Sequence, residues 1–408
     1  MSKAVQVPDG WVKGSLSSFT ECFSGGTPSR SKSEFYEGTI PWVKSGEVNN
    51  RFIYDTEEKI SESAIRESSA KLVNPNSILV AMYGATAGKV AVLKVLAATN
   101  QAVLAMNPVD SNLCSDFLFW VMEYEAVRLM KKVQGAAQPN LSKNLIGNHK
   151  VTLPPLPEQK AIADLLATWD EAIEKTERLI QAKEANLKGQ IQRIMGKEAI
   201  DANGWSMVHL GELFSEVTRK VGEKELTPYS ISAGIGFVSQ REKWGKDISG
   251  SQHKNYTHLK AGEFSYNKGN SKRYQQGCVY LLKDGEICVP NVFISFKPKA
   301  KNVVPEFFEH YFIADYHARE LKRYITSGAR SDGLLNLNKK EFFKIMVPCP
   351  SIEKQESIAE ALTASQQEID LLKQLAEKYK TQKRGLMQKM LTGEWRVKPE
   401  IVNQYMEA

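Results

Sequence analysis

The run Tyr266-Asn-Lys-Gly-Asn-Ser-Lys-Arg-Tyr274 places three cations, two amides and two aromatic rings in one short turn between apolar segments. Lysine and arginine neutralise phosphates, and an asparagine amide can pair with a base edge, so this composition suits a loop that meets a nucleic-acid duplex. Lys268, Lys272 and Arg273 are expected on phosphates and Asn267 or Asn270 on a base, with the flanking tyrosine rings within reach of base edges. Lys243, in Lys243-Trp-Gly-Lys246, is a second candidate of the same kind. The bland alternative is a solvated hairpin turn.

Other chemistries find less support. Gly84-Ala-Thr-Ala-Gly-Lys89 is one residue short of a phosphate-binding loop and is followed by Val90 where Ser or Thr is needed, so it reads as a glycine turn between strands. Six histidines (His149, His209, His253, His258, His310 and His317) form no HExxH pattern and none pairs with a cysteine at metal spacing. Five cysteines (Cys22, Cys114, Cys278, Cys288 and Cys349), odd in number and without a CxxC, argue against a disulfide framework; they are expected to be reduced and mostly buried. Methylating a flipped base would need an Asn/Asp-Pro-Pro-aromatic run, and the chain offers Asn74-Pro75-Asn76 and Asn107-Pro108-Val109 instead. A non-catalytic chain without metal is expected.

The elements that must position these loops occur twice. Val151-Thr-Leu-Pro-Pro-Leu-Pro-Glu-Gln-Lys-Ala-Ile-Ala-Asp-Leu-Leu166 returns about 196 residues later as Val347 to Leu362, with Pro154, Gln159, Ile162, Ala163 and Leu166 matched by Pro350, Gln355, Ile358, Ala359 and Leu362. Gly10-Trp11 and Gly204-Trp205 open the two halves. Each half then has short apolar runs separated by Gly, Asn and Pro turns, one helical segment (Asp116 to Val133; Pro305 to Ile325), a Gly-rich loop ending in Asn140-Leu-Ser-Lys143 or Asn336-Leu-Asn-Lys339, and a proline-rich entry to a long helix. An α+β fold follows, with two strand-rich lobes at 1–153 and 199–349, long helices at 154–198 and 350–395, and a tail at 396–408.

In the helices Ile162, Leu166, Trp169, Ile173 and Ile180, and then Ile358, Leu362, Ile369 and Leu372, keep a 4-3-4-3 coiled-coil spacing. A stripe over roughly 38 residues, about 57 Å long, needs a partner, and its own duplicate is the nearest. Because a whole lobe separates the two, they are expected to pair antiparallel, giving a dumbbell with a pseudo-twofold axis that matches the dyad of DNA.

With 42% hydrophobic and 25% charged residues the composition is that of an ordinary globular protein, and no apolar run approaches ~20 residues, so a cytoplasmic protein is expected. The net charge of +7 permits a polyanionic partner. The excess is concentrated in the second lobe, with 22 basic against 16 acidic residues over 200–350.

The chain resembles the specificity subunit of type I restriction-modification enzymes. The likeness rests on Gly25-Gly-Thr-Pro28, Ile40-Pro-Trp-Val-Lys-Ser-Gly-Glu-Val48, Ile78 to Lys89, Asn100-Gln-Ala-Val103, Leu153 to Ala163 and Gly385-Leu-Met-Gln-Lys-Met-Leu-Thr-Gly-Glu-Trp395. It implies two target recognition domains, each reading half of a split DNA sequence, with the helices as a ruler for the unread spacer. It also implies two modification subunits that methylate adenine using S-adenosylmethionine, and restriction subunits that translocate DNA with ATP and Mg, none of these cofactors belonging to this chain. On this resemblance Arg30, Lys32, Lys44, Ser45, Tyr83, Gln138 and Asn140 become first-lobe DNA-contact candidates, with Arg330 in the matching loop of the second lobe. That lobe lacks the Gly-Thr-Pro and Ile-Pro-Trp motifs, which implies a different subtype of recognition domain. The rival readings are a coiled-coil scaffold that never reads DNA and a methyltransferase acting alone.

Overall fold

Each half of the chain closes on itself through the strand that leads into its long helix. Val12–Ser15 pairs antiparallel with Lys150–Leu153, and Ser206–His209 pairs antiparallel with Met346–Cys349. The computed structural model describes residues 7–109, 111–133, 140–269, 271–299, 301–325 and 334–406. They form two compact units, Met1–Thr176 with Leu375–Ala408 and Glu177–Gln374.

In the first unit five strands run in the order Thr20–Ser24, Val103–Pro108, Ile78–Ala81, Val90–Leu93, Phe52–Ile53, and four more run Lys59–Ile60, Ile40–Val43, Ala97–Thr99, Leu72–Val73. Alternation along the central strands sorts their side chains to two faces. Ile78, Val80, Val92, Leu104 and Met106 face a core shared with the helix Ser115–Val133, while Leu79, Ala81, Ala91, Leu93 and Ala105 face a second core with Val43 and Val48. The Gly25-Gly26 pair is needed for close approach, because a Cβ on either would run into the main chain of Thr99 or Ser69.

In the second unit four antiparallel strands run Phe214–Glu216, Ile294–Pro298, Phe264–Asn267, Cys278–Leu281. Phe214, Phe264, Phe296, Phe308 and Phe312 pack edge-to-face and stacked between this sheet and the helix Pro305–Ile313. The hairpin Tyr229–Ser232/Gly236–Ser239 and the pair Thr257–Lys260/Glu286–Val289 build a smaller core around Ile231, Leu259 and Tyr274. The helix expected from Pro305 to Ile325 is interrupted. It stops at Ile313, Asp315 takes a left-handed φ of 64°, and a short helix resumes at Ala318–Leu321. The break turns the chain so that His317 is fully buried.

Leu156–Met195 and Ile352–Leu391 are unbroken helices that run antiparallel, each beginning in one unit and ending in the other. In the first unit Ile162 and Leu166 share a core with Leu386, Met387, Met390 and Leu391, and Trp169 meets the Tyr379 ring edge-on at 5.7 Å. In the second, Lys183 pairs with Glu368 and Glu184 with Lys373. Ile162, Leu166, Ile173, Ile180, Leu362 and Ile369 are buried, whereas Trp169, Ile358 and Leu372 stay half-exposed. Near its start each helix also lies against its own strand-rich lobe, and Gln159, Ala161, Ala163, Gln355 and Ala359 are buried there. The heptad seam therefore widens beyond two positions per repeat at those ends.

The repeated glutamine explains the entry motif. Gln159 donates through Nε2 to the carbonyls of Asn112 (2.9 Å) and Pro154 (2.8 Å) and accepts at Oε1 from the Cys114 amide (2.9 Å). Gln355 does the same with Asn302 (3.0 Å), Pro350 (2.9 Å) and Val304 (3.0 Å). Each glutamine ties the long helix to the loop before the lobe's own helix, and each is buried.

The segment read as a tail is part of the first unit. Arg396 grips Glu158 by two hydrogen bonds of 2.6 and 2.7 Å and donates to the Asp9 carbonyl, and Tyr405 donates to Asp164.

Candidate nucleic-acid interface

Strand Ile40–Val43 delivers Lys44 and Ser45 to a short 3-10 turn, Ser45–Glu47. The strand is fixed by parallel pairing with Ala97–Thr99 and by the Trp42 indole, which donates to the Gly26 carbonyl. Lys44 then meets Glu57 at 3.0 Å and Glu58 at 2.9 Å. Arg30 reaches the other oxygen of Glu58 at 2.7 Å and lies over the Tyr36 ring, 4.1 Å from its centre. Tyr36 is itself anchored through its hydroxyl to the Pro28 carbonyl. Hydrogen bonds from Arg30 and then Lys44 hold the Glu58 carboxyl below the usual carboxylate range.

Further contacts continue this rim. The Ser45 carbonyl accepts from Thr86 Oγ1 in the turn Gly84 to Lys89, which joins Ile78–Ala81 to Val90–Leu93 and takes positive φ at Gly84 and Gly88. Tyr83 sits half-buried at the start of that turn, and next to it the Met82 carbonyl accepts from the Leu141 amide, which brings exposed Asn140 alongside. Arg30, Lys44, Ser45, Tyr83 and Asn140 are thus brought together. Lys32 stands apart, paired with Glu67 at 2.8 Å. Gln138 lies outside the described residues, as do Asn270 and Arg330.

In the second unit the turn after Phe264–Asn267 is pinned by internal bonds. Asn267 donates to the Ile231 carbonyl (3.1 Å) and accepts from the Gly269 amide (2.9 Å), so both ends of its amide hold the loop. The Lys268 carbonyl accepts from the Leu335 amide. Tyr266 and Tyr274, expected within reach of base edges, are core residues instead: Tyr266 stacks on Phe342 and donates to the Gln276 carbonyl, and Tyr274 is 3% exposed. Burying two rings fixes the turn's stems, with Lys268 half-buried beside them. Lys272 and Arg273 are exposed, with Arg273 over the outer face of Tyr274 and against the turn at Gly234. Lys243 is exposed on the short helix Gln240–Trp244, its ammonium 4.8 Å from the centre of the Trp244 ring. Burial pushes the Cys278 thiol, which faces Asn267 across the sheet, up to about 12.

Glu58, which holds the two cations of the first rim, was not among the sequence candidates, and Trp244, inside the candidate run Lys243-Trp-Gly-Lys246, is an exposed ring beside Lys243. A carboxylate gives no DNA-binding signal by type, and only a three-dimensional neighbour marks Glu58. Among the described residues no three His, Cys, Asp or Glu side chains are placed to hold a metal, and no helix is long and apolar enough to cross a membrane.

The type I restriction modification DNA specificity domain matches residues 8–184 and again 203–380. The chain belongs to this family. It is a DNA specificity subunit, the non-catalytic component of a type I restriction-modification system. It is 23% identical over 97% of its length, and 95% of the relative's, to the type I restriction enzyme MjaVIII specificity subunit of Methanocaldococcus jannaschii. It is 32% identical over 36% of its length, and 38% of the relative's, to the EcoR124I/EcoR124II specificity subunit of Escherichia coli. The crystal structure of a type I S subunit from M. genitalium shares the fold, with a TM-score of 0.56 at 17% identity, covering 96% of this chain and 98% of that one. In the specificity subunit each family match takes in one strand-rich lobe and most of its long helix.

Proposed function

We propose that this specificity subunit reads a bipartite double-stranded DNA site, one half-site per strand-rich lobe, with the paired helices setting the unread spacer between them. The observation that carries the proposal is the recurrence of one DNA specificity domain in each half of a single chain. Two modification subunits dock on it and methylate adenine in the two half-sites, and restriction subunits that translocate DNA complete the assembly, in the cytoplasm. S-adenosylmethionine, ATP and Mg are bound by those partners. This chain supplies position: cations on phosphates fix the register on the duplex, and loop amides and hydroxyls meet base edges in the major groove.

The test is methylome sequencing of cells that carry the gene with its neighbouring methyltransferase gene, against cells with this gene deleted. The expected result is a split motif with a fixed gap that disappears on deletion. Adenine methylation unchanged at every motif, with both proteins expressed, would favour a scaffold that does not read DNA.

A further inference from the structure

The two rims differ in what their cations touch before any DNA arrives. Glu58 divides its carboxylate between Arg30 and Lys44, at 2.7 and 2.9 Å. The Arg30 guanidinium is placed by the Tyr36 ring at 4.1 Å and the Trp42 ring at 5.5 Å, so its position does not depend on a ligand. The main chain of Glu58 is pinned as well, since its carbonyl accepts from the Trp42 amide at 3.1 Å and from Thr56 Oγ1 at 2.6 Å. An anion bridging a planar guanidinium and an ammonium carries the charge of a phosphate and accepts from the donors that a phosphate contact uses. The Glu58 side chain is 30% exposed, so an incoming backbone can reach the pair.

We infer that Glu58 occupies the place of a DNA phosphate in the unbound chain and acts as a specificity-determining residue: the first rim engages a duplex by exchanging this carboxylate for phosphate. The inference rests on the DNA-reading role proposed above. A non-cognate duplex offers phosphates alone, and taking Arg30 and Lys44 from Glu58 leaves a carboxylate facing the backbone, so the exchange gains little. A cognate half-site adds base contacts that favour the exchanged state. Glu58 therefore penalises sequence-independent binding more than specific binding.

The experiment compares the full-length chain, assembled with its modification subunits, with its E58Q variant, on a duplex carrying the methylome motif and on a scrambled duplex of equal length, across a salt series. E58Q removes the charge while keeping the backbone bonds. The scrambled duplex is expected to bind about three- to tenfold tighter with a steeper salt dependence, the motif duplex to change less, and discrimination to fall accordingly. Glu171→Gln, which removes the same charge from an exposed helical pair with Lys175, controls for net charge and is expected to leave discrimination unchanged. Equal behaviour of E58Q and E171Q overturns the inference, as does an E58Q that weakens only the motif duplex, the signature of a carboxylate reading a base. If E58Q does not fold, Glu58→Asp, which keeps the charge but shortens the reach, is read instead and must show the same loss of discrimination in smaller degree. Arg30→Gln and Lys44→Gln separate the two levels: if they weaken motif binding while the Glu58 variants do nothing, this exchange alone fails, and if they too do nothing, the first rim is not the DNA surface.

Discussion

In the first unit Arg30 and Lys44 share Glu58 and Lys32 holds Glu67, whereas in the second Lys243 and Arg273 rest on the rings of Trp244 and Tyr274, with no carboxylate within ion-pair distance among the described residues. A cation already paired with a carboxylate adds less to salt-dependent attraction than one facing solvent, because its partner must be released before phosphate takes its place. Equal numbers of lysines and arginines on two surfaces therefore need not give equal DNA affinity. On the exchange inferred above, the second unit would hold any duplex and the first would test it. Beneath this contrast the two units share one framework, the buried glutamine at the start of each long helix making the same three hydrogen bonds.

The largest effect tests what is shared. Gln159→Ala and Gln355→Ala each leave one amide and two carbonyls without their buried partner, and each is expected to destabilise its own unit by about 3 kcal/mol. Hydrogen exchange should show the protection loss confined to the mutated unit; a loss in only one of the two variants would break the equivalence.

A second effect belongs to one unit. Burial lowers His317 to about 3 and His310 to about 4, so both stay neutral in the fold while the unfolded chain takes up protons below about 6.5. The stability they contribute is present above pH 6.5 and is lost as pH falls from there toward about 4 for His310 and about 3 for His317. Asp315, raised by burial to about 6, and Glu309, also raised by burial, act in the opposite sense because they hold protons in the fold. Neither ring nitrogen of His317 makes a hydrogen bond, Nδ1 lying 3.8 Å from Asp315 Oδ1, and its neighbour Phe312 is aromatic, so His317→Phe should fold. Relative to wild type it should gain about 2 kcal/mol on going from pH 7 to pH 5, read as a change in denaturant midpoints. An identical pH dependence in both proteins would show that His317 does not titrate in this way.

The smallest effect sharpens the contrast between the rims. Arg273→Gln and Lys243→Gln should each lower the slope of log affinity against log salt by about 1, and Arg30→Gln by clearly less, because Arg30 gives up a carboxylate on binding. Equal slopes for the three variants would mean that the two surfaces use their cations alike.

Much of the framework was legible in the residues. The repeat located both long helices, the extended entries that lead into them and the two matched glutamines, because a duplicated packing problem keeps the same side chains in the same register. The phosphate-loop look-alike was readable as a turn because one residue was missing. The break at Asp315, the burial of Tyr266 and Tyr274 and the return of Arg396 to Glu158 were not legible. Each depends on partners tens to hundreds of residues away, and local spacing carries no trace of them. The candidate loops were only partly legible for the same reason: a lysine announces its charge, but not the carboxylate that holds it.

By itself the sequence determined that the chain is two versions of one design, joined by helices with a coiled-coil seam, because repeats and periodicity are properties of order along the chain. Only the tertiary structure decided which cations are free, which amides are committed to the backbone and which rings are buried, because electrostatic pairing and desolvation depend on distance in space.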